Sequence, residues 1–535
     1  MIPRLLIPSA PTFSSIARAC LSATALIIVL GFAVAPAAAD DPVVAVSGGK
    51  VQGKALPDQK GFAFRGVPFA APPVGALRWR EPQPVAAWAG VREAFHSGAP
   101  AAQLSAGWNA DAAAASSEDC LYLDVWTPAL HPKKPKAVMV WIHGGANVAG
   151  TGGADPLYNG TALIGHDVIL VVIEYRLGIF GFLAHPELSA ESPHHVSGNY
   201  ALLDQISALH WVHDNIRQFG GDPANVTVFG QSAGSMDISA LLTSPLARRF
   251  FARAICESGA ALTPSAQTLS QAENAGVAFA AKLKISGDNA LSSLRALSTS
   301  DLLKAGRPPA AINVDGYVFP QAPTAAYAHG QEIPVPFLIG SNAIEFPVSG
   351  TGEGLKAMLE KTFGSRAPEA LRLYGLDTTP ARAFAEDPVY GDRSDQIGSD
   401  LFRCPSIVEG EWHAANGYPT WQYELARAIP PHKKISHAGD LAYVFGNLYP
   451  TGGQPGEFTA VDRRLSETMQ RYWTNFAKTG NPNGPGLPEW PAYDAHGRAY
   501  MQFTSNGEEH LDHDPRGPFT QLYREQYQSE RIESR

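Results

Sequence analysis

The sequence predicts an α/β protein with a mostly parallel central sheet and helices on both faces. Three observations carry that expectation. The runs AVMVWI (137–142), DVILVVIEYR (167–176), NVTVFG (225–230) and VPFLIG (335–340) are mostly apolar, and TWQYEL (420–425) is read with them; continuous apolar runs are the pattern of strands covered on both faces. Between the second and third runs, Leu202, Ile206, Leu209, Val212, Ile216 and Phe219 recur every three or four residues. That spacing is one face of a helix, and Gly220-Gly221 supply its stop. Strands alternating with helices imply crossover connections and parallel pairing. Ligands then bind at the carboxyl ends of the strands.

The remaining elements fit around that frame. Segments from about 260 to 330 and 350 to 415 are rich in Ala, Leu and charge and read as helical insertions capping one end of the sheet, over the site. No Pro/Gly/Ser linker interrupts the chain, so residues 40–535 are expected to form a single domain. Ahead of it, Arg4 and Arg18, an apolar stretch from Leu21 to Val34 and the small run Ala37-Ala38-Ala39 follow one another without an acidic residue. This order predicts a signal peptide over 1–39, cleaved after Ala39, and hence a periplasmic or secreted protein. The apolar stretch falls short of the ~20 residues that a span requires, so no stable membrane anchor is expected after cleavage.

Composition narrows the function classes. With 535 residues, 45% hydrophobic and 17% charged, the chain can bury a large core. Its 41 basic against 50 acidic residues leave no basic footprint for nucleic acid. Of the four cysteines, Cys20 lies in the leader; Cys120, Cys256 and Cys404 are odd in number and widely spaced. They predict buried thiols with at most one bridge, and no zinc site. Glu508, His510, Asp512 and His513 read as a solvated acidic loop. Neither metal nor cofactor is expected.

The chemistry concentrates around FGQSAG at 229–234. Ser232 stands between the end of a predicted strand and the start of a helix, flanked by Gly230 and Gly234, where a sharp strand-to-helix turn would crowd any side chain. Such a turn holds the hydroxyl above the sheet beside the amide of Ala233. A serine hydroxyl is too weak an acid to attack unaided, so a base must lie within hydrogen-bonding reach. Upstream, His143-Gly144-Gly145-Ala146 directly follow a buried strand. Glycines there let backbone N–H groups approach a substrate oxygen, as in an oxyanion hole.

These residues, together with FRGVPFAAPPVGALRW, SEDCLYLDVWTP, EYRLGIFGFL, GNYALLDQISALHWVHDNIRQFGGDPANVTVFGQSAG and YWTNFAKTGNPN, resemble the type B carboxylesterase family, which includes cholinesterases and bacterial p-nitrobenzyl esterases. The likeness covers nearly the whole chain after the leader. It implies the α/β-hydrolase fold and a serine hydrolase cleaving carboxylic esters of small molecules through an acyl-enzyme. By the family's motifs, the acid falls on Glu345 after FLIGSNAI, and the histidine on His437 in SHAGDLAYVFG. The implied triad is Ser232, His437 and Glu345, with the amides of Gly145, Ala146 and Ala233 as the oxyanion hole.

The chain departs from the family at several points. Phe346 follows the acid where the family has glycine. Asn147 replaces an aromatic residue, which is expected to make the pocket floor more polar. Gly144, Asn147 and Trp108 are the pocket candidates. No cysteine lies between Ala39 and Cys120, so the family's bridge from Cys120 cannot form, and the loop holding Trp108 is expected to be looser and to line the mouth of the site. A lipase, thioesterase, amidase or polyester hydrolase would use the same three side chains. A non-catalytic binding protein of this fold would lack one of them.

Overall fold

The computed structural model describes residues 41–57, 60–262, 266–287, 289–306, 311–350, 352–448 and 456–533; the expected leader, with Cys20, lies outside them. Among the described residues, the main sheet has 11 strands. In spatial order they are Glu509–His513, Ala499–Phe503, Thr420–Leu425, Phe337–Asn342, Arg253–Glu257, Gly221–Gln231, Lys136–Ile142, Ile169–Ile173, Tyr122–Thr127, Phe62–Pro68 and Lys54–Ala55. The block from Ala499–Phe503 to Ile169–Ile173 is parallel. The strands outside it pair antiparallel.

All five runs fall in the parallel block, and the core explains their composition. In Lys136–Ile142, Val138, Val140 and Ile142 join one buried cluster while Met139 and Trp141 join another. Successive strand residues point to opposite faces, and here both faces are covered. Val140 sits in register with Val171 on one side and Val228 on the other. A charge at any of these positions would be buried without a partner.

The helix ahead of the serine motif spans Tyr200–Asn215 and continues as a 3-10 turn over Ile216–Phe219. Leu202, Ile206, Leu209, Val212, Ile216 and Phe219 are all buried. Gly220 alone makes the stop, at φ 84°, whereas Gly221 already belongs to the next strand. The two helix-prone segments form Leu269–Lys282, Ala290–Ala296, Thr299–Lys304 and Pro323–Ala328, then Gly352–Phe363, Ala367–Leu373 and Arg393–Ala415. Residues of the last of these touch the acid and the histidine, as shown below. Cys120, Cys256 and Cys404 are each buried and unbridged.

Candidate active site

Ser232 joins the strand Gly221–Gln231 to the helix Ala233–Leu241 with φ 56° and ψ −122°, a conformation that L-residues rarely adopt. The crowding expected at this turn is measurable. A Cβ on Gly230 would lie 2.6 Å from the carbonyl oxygen of Ile142, and one on Gly234 would lie 2.7 Å from that of His143. Both positions therefore require glycine. The strained residue is held by its N–H, which donates to the Glu257 carbonyl at 2.8 Å. Its side chain is partly exposed.

The acid and the histidine are locked together. Glu345 is three residues past the strand Phe337–Asn342 and is 1% exposed. His437 Nδ1 donates to Glu345 Oε2 at 2.6 Å, and the His437 N–H donates to the Glu345 carbonyl at 3.1 Å. The N-x-x-E spacing has a physical reason. The Asn342 N–H donates to Glu345 Oε1 at 2.8 Å, while its carboxamide donates to the Ser436 carbonyl at 3.3 Å. Behind this pair lies Asp440, accepting from the Tyr423 hydroxyl at 3.0 Å. Its carboxyl is pushed up to about 6, first by burial and then by the charge of Glu345.

With Nδ1–H donated to Glu345, His437 Nε2 carries the lone pair. It accepts from the Gln231 carboxamide at 3.0 Å. The imidazole thus faces the residue directly before Ser232. The serine hydroxyl itself makes no hydrogen bond among the described residues.

The upstream loop crosses the serine closely. A Cβ on Gly144 would lie 3.0 Å from Ser232 Cβ and 2.9 Å from Gln231 Oε1. Gly145, Ala146 and Asn147 follow with φ of 108°, 54° and 57°. The Gly144 carbonyl accepts from His143 Nδ1 at 2.8 Å. A trans peptide directs its N–H opposite to its C=O, so the Gly145 N–H is aimed away from that imidazole. Ala233 opens its helix, where an N–H has no intrahelical partner. Among the described residues, none of the N–H groups of Gly145, Ala146 and Ala233 finds an acceptor.

Two pocket candidates differ from expectation. Asn147 is 8% exposed and turned inward: its carboxamide donates to Asp237 Oδ1 at 2.8 Å and accepts from the Tyr175 hydroxyl at 3.2 Å. Its polarity serves the underside of the loop instead of a pocket floor. Trp108 is 61% exposed, on a segment that is bonded instead of loose. Gln103 donates to the Gly150 carbonyl at 2.7 Å and accepts from the Gly150 N–H at 2.8 Å and from Asn109 at 2.7 Å. These amides fasten the Trp108 segment to the end of the glycine loop.

Beneath that loop, His143 Nε2 lies 3.7 Å from Glu174 Oε2. Burial pushes the imidazole down to about 4 and the carboxyl up to about 8, so the contact is between neutral groups. Glu174 Oε1 accepts from the Gly152 N–H at 2.7 Å and from Thr151. Because the folded carboxyl is raised above its unfolded value, its contribution is fully present below about pH 4.5 and is lost as pH rises through about 8. Glu174→Gln keeps the acceptor for Thr151 and Gly152 and offers His143 an N–H. We expect the unfolding free energy to fall less steeply from pH 5 to 8.5 in this variant, by an amount on the order of 3 kcal/mol. Equal slopes would refute a neutral Glu174.

Some contributing residues carried no sequence signal. Gln231 occupies the unconstrained place in the serine motif. Ser399, whose hydroxyl accepts from the Glu345 N–H at 2.9 Å, and Phe402, whose ring lies 5.3 Å from that of His437, come from the helix Arg393–Ala415. Only the fold brings them close.

Comparison with known proteins agrees with this architecture. The model of the carboxylesterase family matches residues 40–367 and 379–522. A fumonisin B1 esterase of Sphingopyxis macrogoltabida is 37% identical over 507 residues, covering 89% of this chain and 90% of that one. A cocaine esterase of Homo sapiens is 34% identical over 468 residues, 81% of each. A solved PNB esterase superposes with a TM-score of 0.76 at 35% identity, covering 90% of this chain and 99% of its own. That neighbour and the mixed sheet give the α/β-hydrolase fold. With a family match over most of its length and esterases among both its sequence and structural relatives, this chain belongs to the carboxylesterase family and is a carboxylic ester hydrolase.

Proposed function

We propose that Ser232, His437 and Glu345 form the catalytic triad of an exported esterase acting on small-molecule esters. The observation that carries this reading is the 2.6 Å bond from His437 Nδ1 to Glu345, which turns Nε2 toward the serine elbow as a proton acceptor. Nε2 takes the Ser232 proton as Oγ attacks the ester carbonyl, once the Gln231 amide gives way. Glu345 holds the tautomer and stabilises the imidazolium. The amides of Gly145, Ala146 and Ala233 receive the oxyanion, each contributing about 3 kcal/mol to the transition state. The alkoxide leaves with the proton from His437. Water then repeats the attack on the acyl-enzyme and releases the acid.

Export rests on the basic, apolar and small-residue order of positions 1–39. Among the described residues, no helix is long and apolar enough to cross a membrane.

A fluorophosphonate tests the nucleophile. Oγ displaces fluoride at phosphorus, and peptide mass spectrometry is expected to find one adduct per chain, on Ser232, with labelling slowed by His437→Ala. An adduct elsewhere, with Ser232 unmodified, would overturn the assignment.

A further inference from the structure

We infer that Phe346 is a specificity-determining residue that binds the alcohol half of the substrate, favouring esters of alcohols that carry an aromatic ring. The inference rests on the triad proposed above. Phe346 directly follows Glu345, and its ring centroid lies 4.0 Å from that of His437 at an interplanar angle of 36°. Phe402 completes an aromatic wall, 5.3 Å from His437 and 5.7 Å from Phe346. Phe346 is nonetheless 48% exposed, and Phe402 is only partly buried. Beside the reactive imidazole, then, stands an apolar face left about half open among the described residues.

The ring is presented on a fixed backbone. The Glu345 N–H donates to the Ser399 hydroxyl at 2.9 Å, and the Val348 N–H to the Ser394 carbonyl at 3.2 Å. Gly398 lets the Phe346 carbonyl pack directly on the helix Arg393–Ala415, because a Cβ there would collide with that oxygen. A platform held in this way loses little freedom when a ligand stacks on it, so more of the contact is realised as affinity.

Chemistry decides which half of the ester it meets. The carbonyl oxygen must turn toward the amides of Gly145, Ala146 and Ala233. The alcohol oxygen must lie at His437 Nε2 to receive its proton when the tetrahedral intermediate collapses. A ring tilted against the imidazole in this way therefore borders the departing alcohol, and the acyl group lies beyond it. Aromatic pairs prefer offset or edge-on contact with centroids about 4.5 to 7 Å apart, a range that the open side of Phe346 can supply to a benzyl group.

The test compares benzyl acetate with methyl acetate. Both give the same acetyl-enzyme, so their kcat/KM values differ only in steps before the alcohol leaves. The natural chain is expected to prefer benzyl acetate, and Phe346→Gly to lower that preference about tenfold. Phe346→Leu, which keeps apolar bulk without the ring, is expected to fall between the two. A benzyl-to-methyl ratio within twofold of the natural chain in Phe346→Gly would overturn the inference, and so would an equal loss on both esters, which would mean that the ring only positions His437. Hydrolysis of both acetates by Ser232→Ala would instead refute the triad beneath it, so the two failures are distinguishable.

Discussion

Ser232→Ala is expected to lower kcat for p-nitrophenyl acetate by about six orders of magnitude while the protein stays folded. The magnitude follows from the mechanism. Without Oγ there is no acyl-enzyme, and the remaining amides and pocket can only assist direct attack by water. The fold should tolerate the change because the hydroxyl makes no hydrogen bond among the described residues, so nothing buried loses a partner. The strained φ of 56° is imposed by the backbone and by the Ser232 N–H to Glu257 bond, which alanine keeps. Stability should therefore move by no more than about 0.5 kcal/mol. Rates measured alongside circular dichroism melting decide the matter: a variant with a tenth of the original kcat would remove Ser232 from the chemistry.

Glu345→Gln is expected to cost about four orders of magnitude in kcat, through proton placement instead of lost contact. Glu345 Oε1 accepts from the buried Asn342 N–H and Oε2 from His437 Nδ1. A glutamine can satisfy only one of them with its oxygen. Turned to keep the Asn342 bond, it offers an N–H to Nδ1, so the imidazole must carry its proton on Nε2 and can no longer accept one from Ser232. Turned the other way, it sets N–H against the Asn342 N–H, an unmet buried donor worth about 1 to 3 kcal/mol. The first arrangement wins, and it is the inactive one. Steady-state kinetics that retained more than a hundredth of kcat would contradict this account.

How much of this was legible in sequence depended on where the information lies. The runs at 137–142 and 420–425 coincide with strands almost residue for residue; burial on both faces makes the first unbrokenly apolar, while the second buries Thr420, Gln422 and Glu424 between Trp421, Tyr423 and Leu425. The strand Arg253–Glu257 has no such run, since its five residues begin and end in charge. The outermost antiparallel strands, Lys54–Ala55 and Glu509–His513, are short or largely exposed and so carry weak patterns. At the site, the serine motif was readable because steric crowding enforces glycine on both sides. Glu345 and His437 were placed only by family resemblance, since neither neighbourhood has a local pattern that demands its chemistry. The inward turn of Asn147 depended on Asp237 and Tyr175, which lie 90 and 28 residues away in sequence.

The three separate cysteines bear on what holds the molecule together. Cys120, Cys256 and Cys404 are buried and unbridged, and burial pushes all three thiols up, away from the reactive thiolate. The Trp108 segment is fastened by the amides of Gln103 and Asn109 instead of by sulfur. Among the described residues, reducing agents therefore have no covalent cross-link to cut.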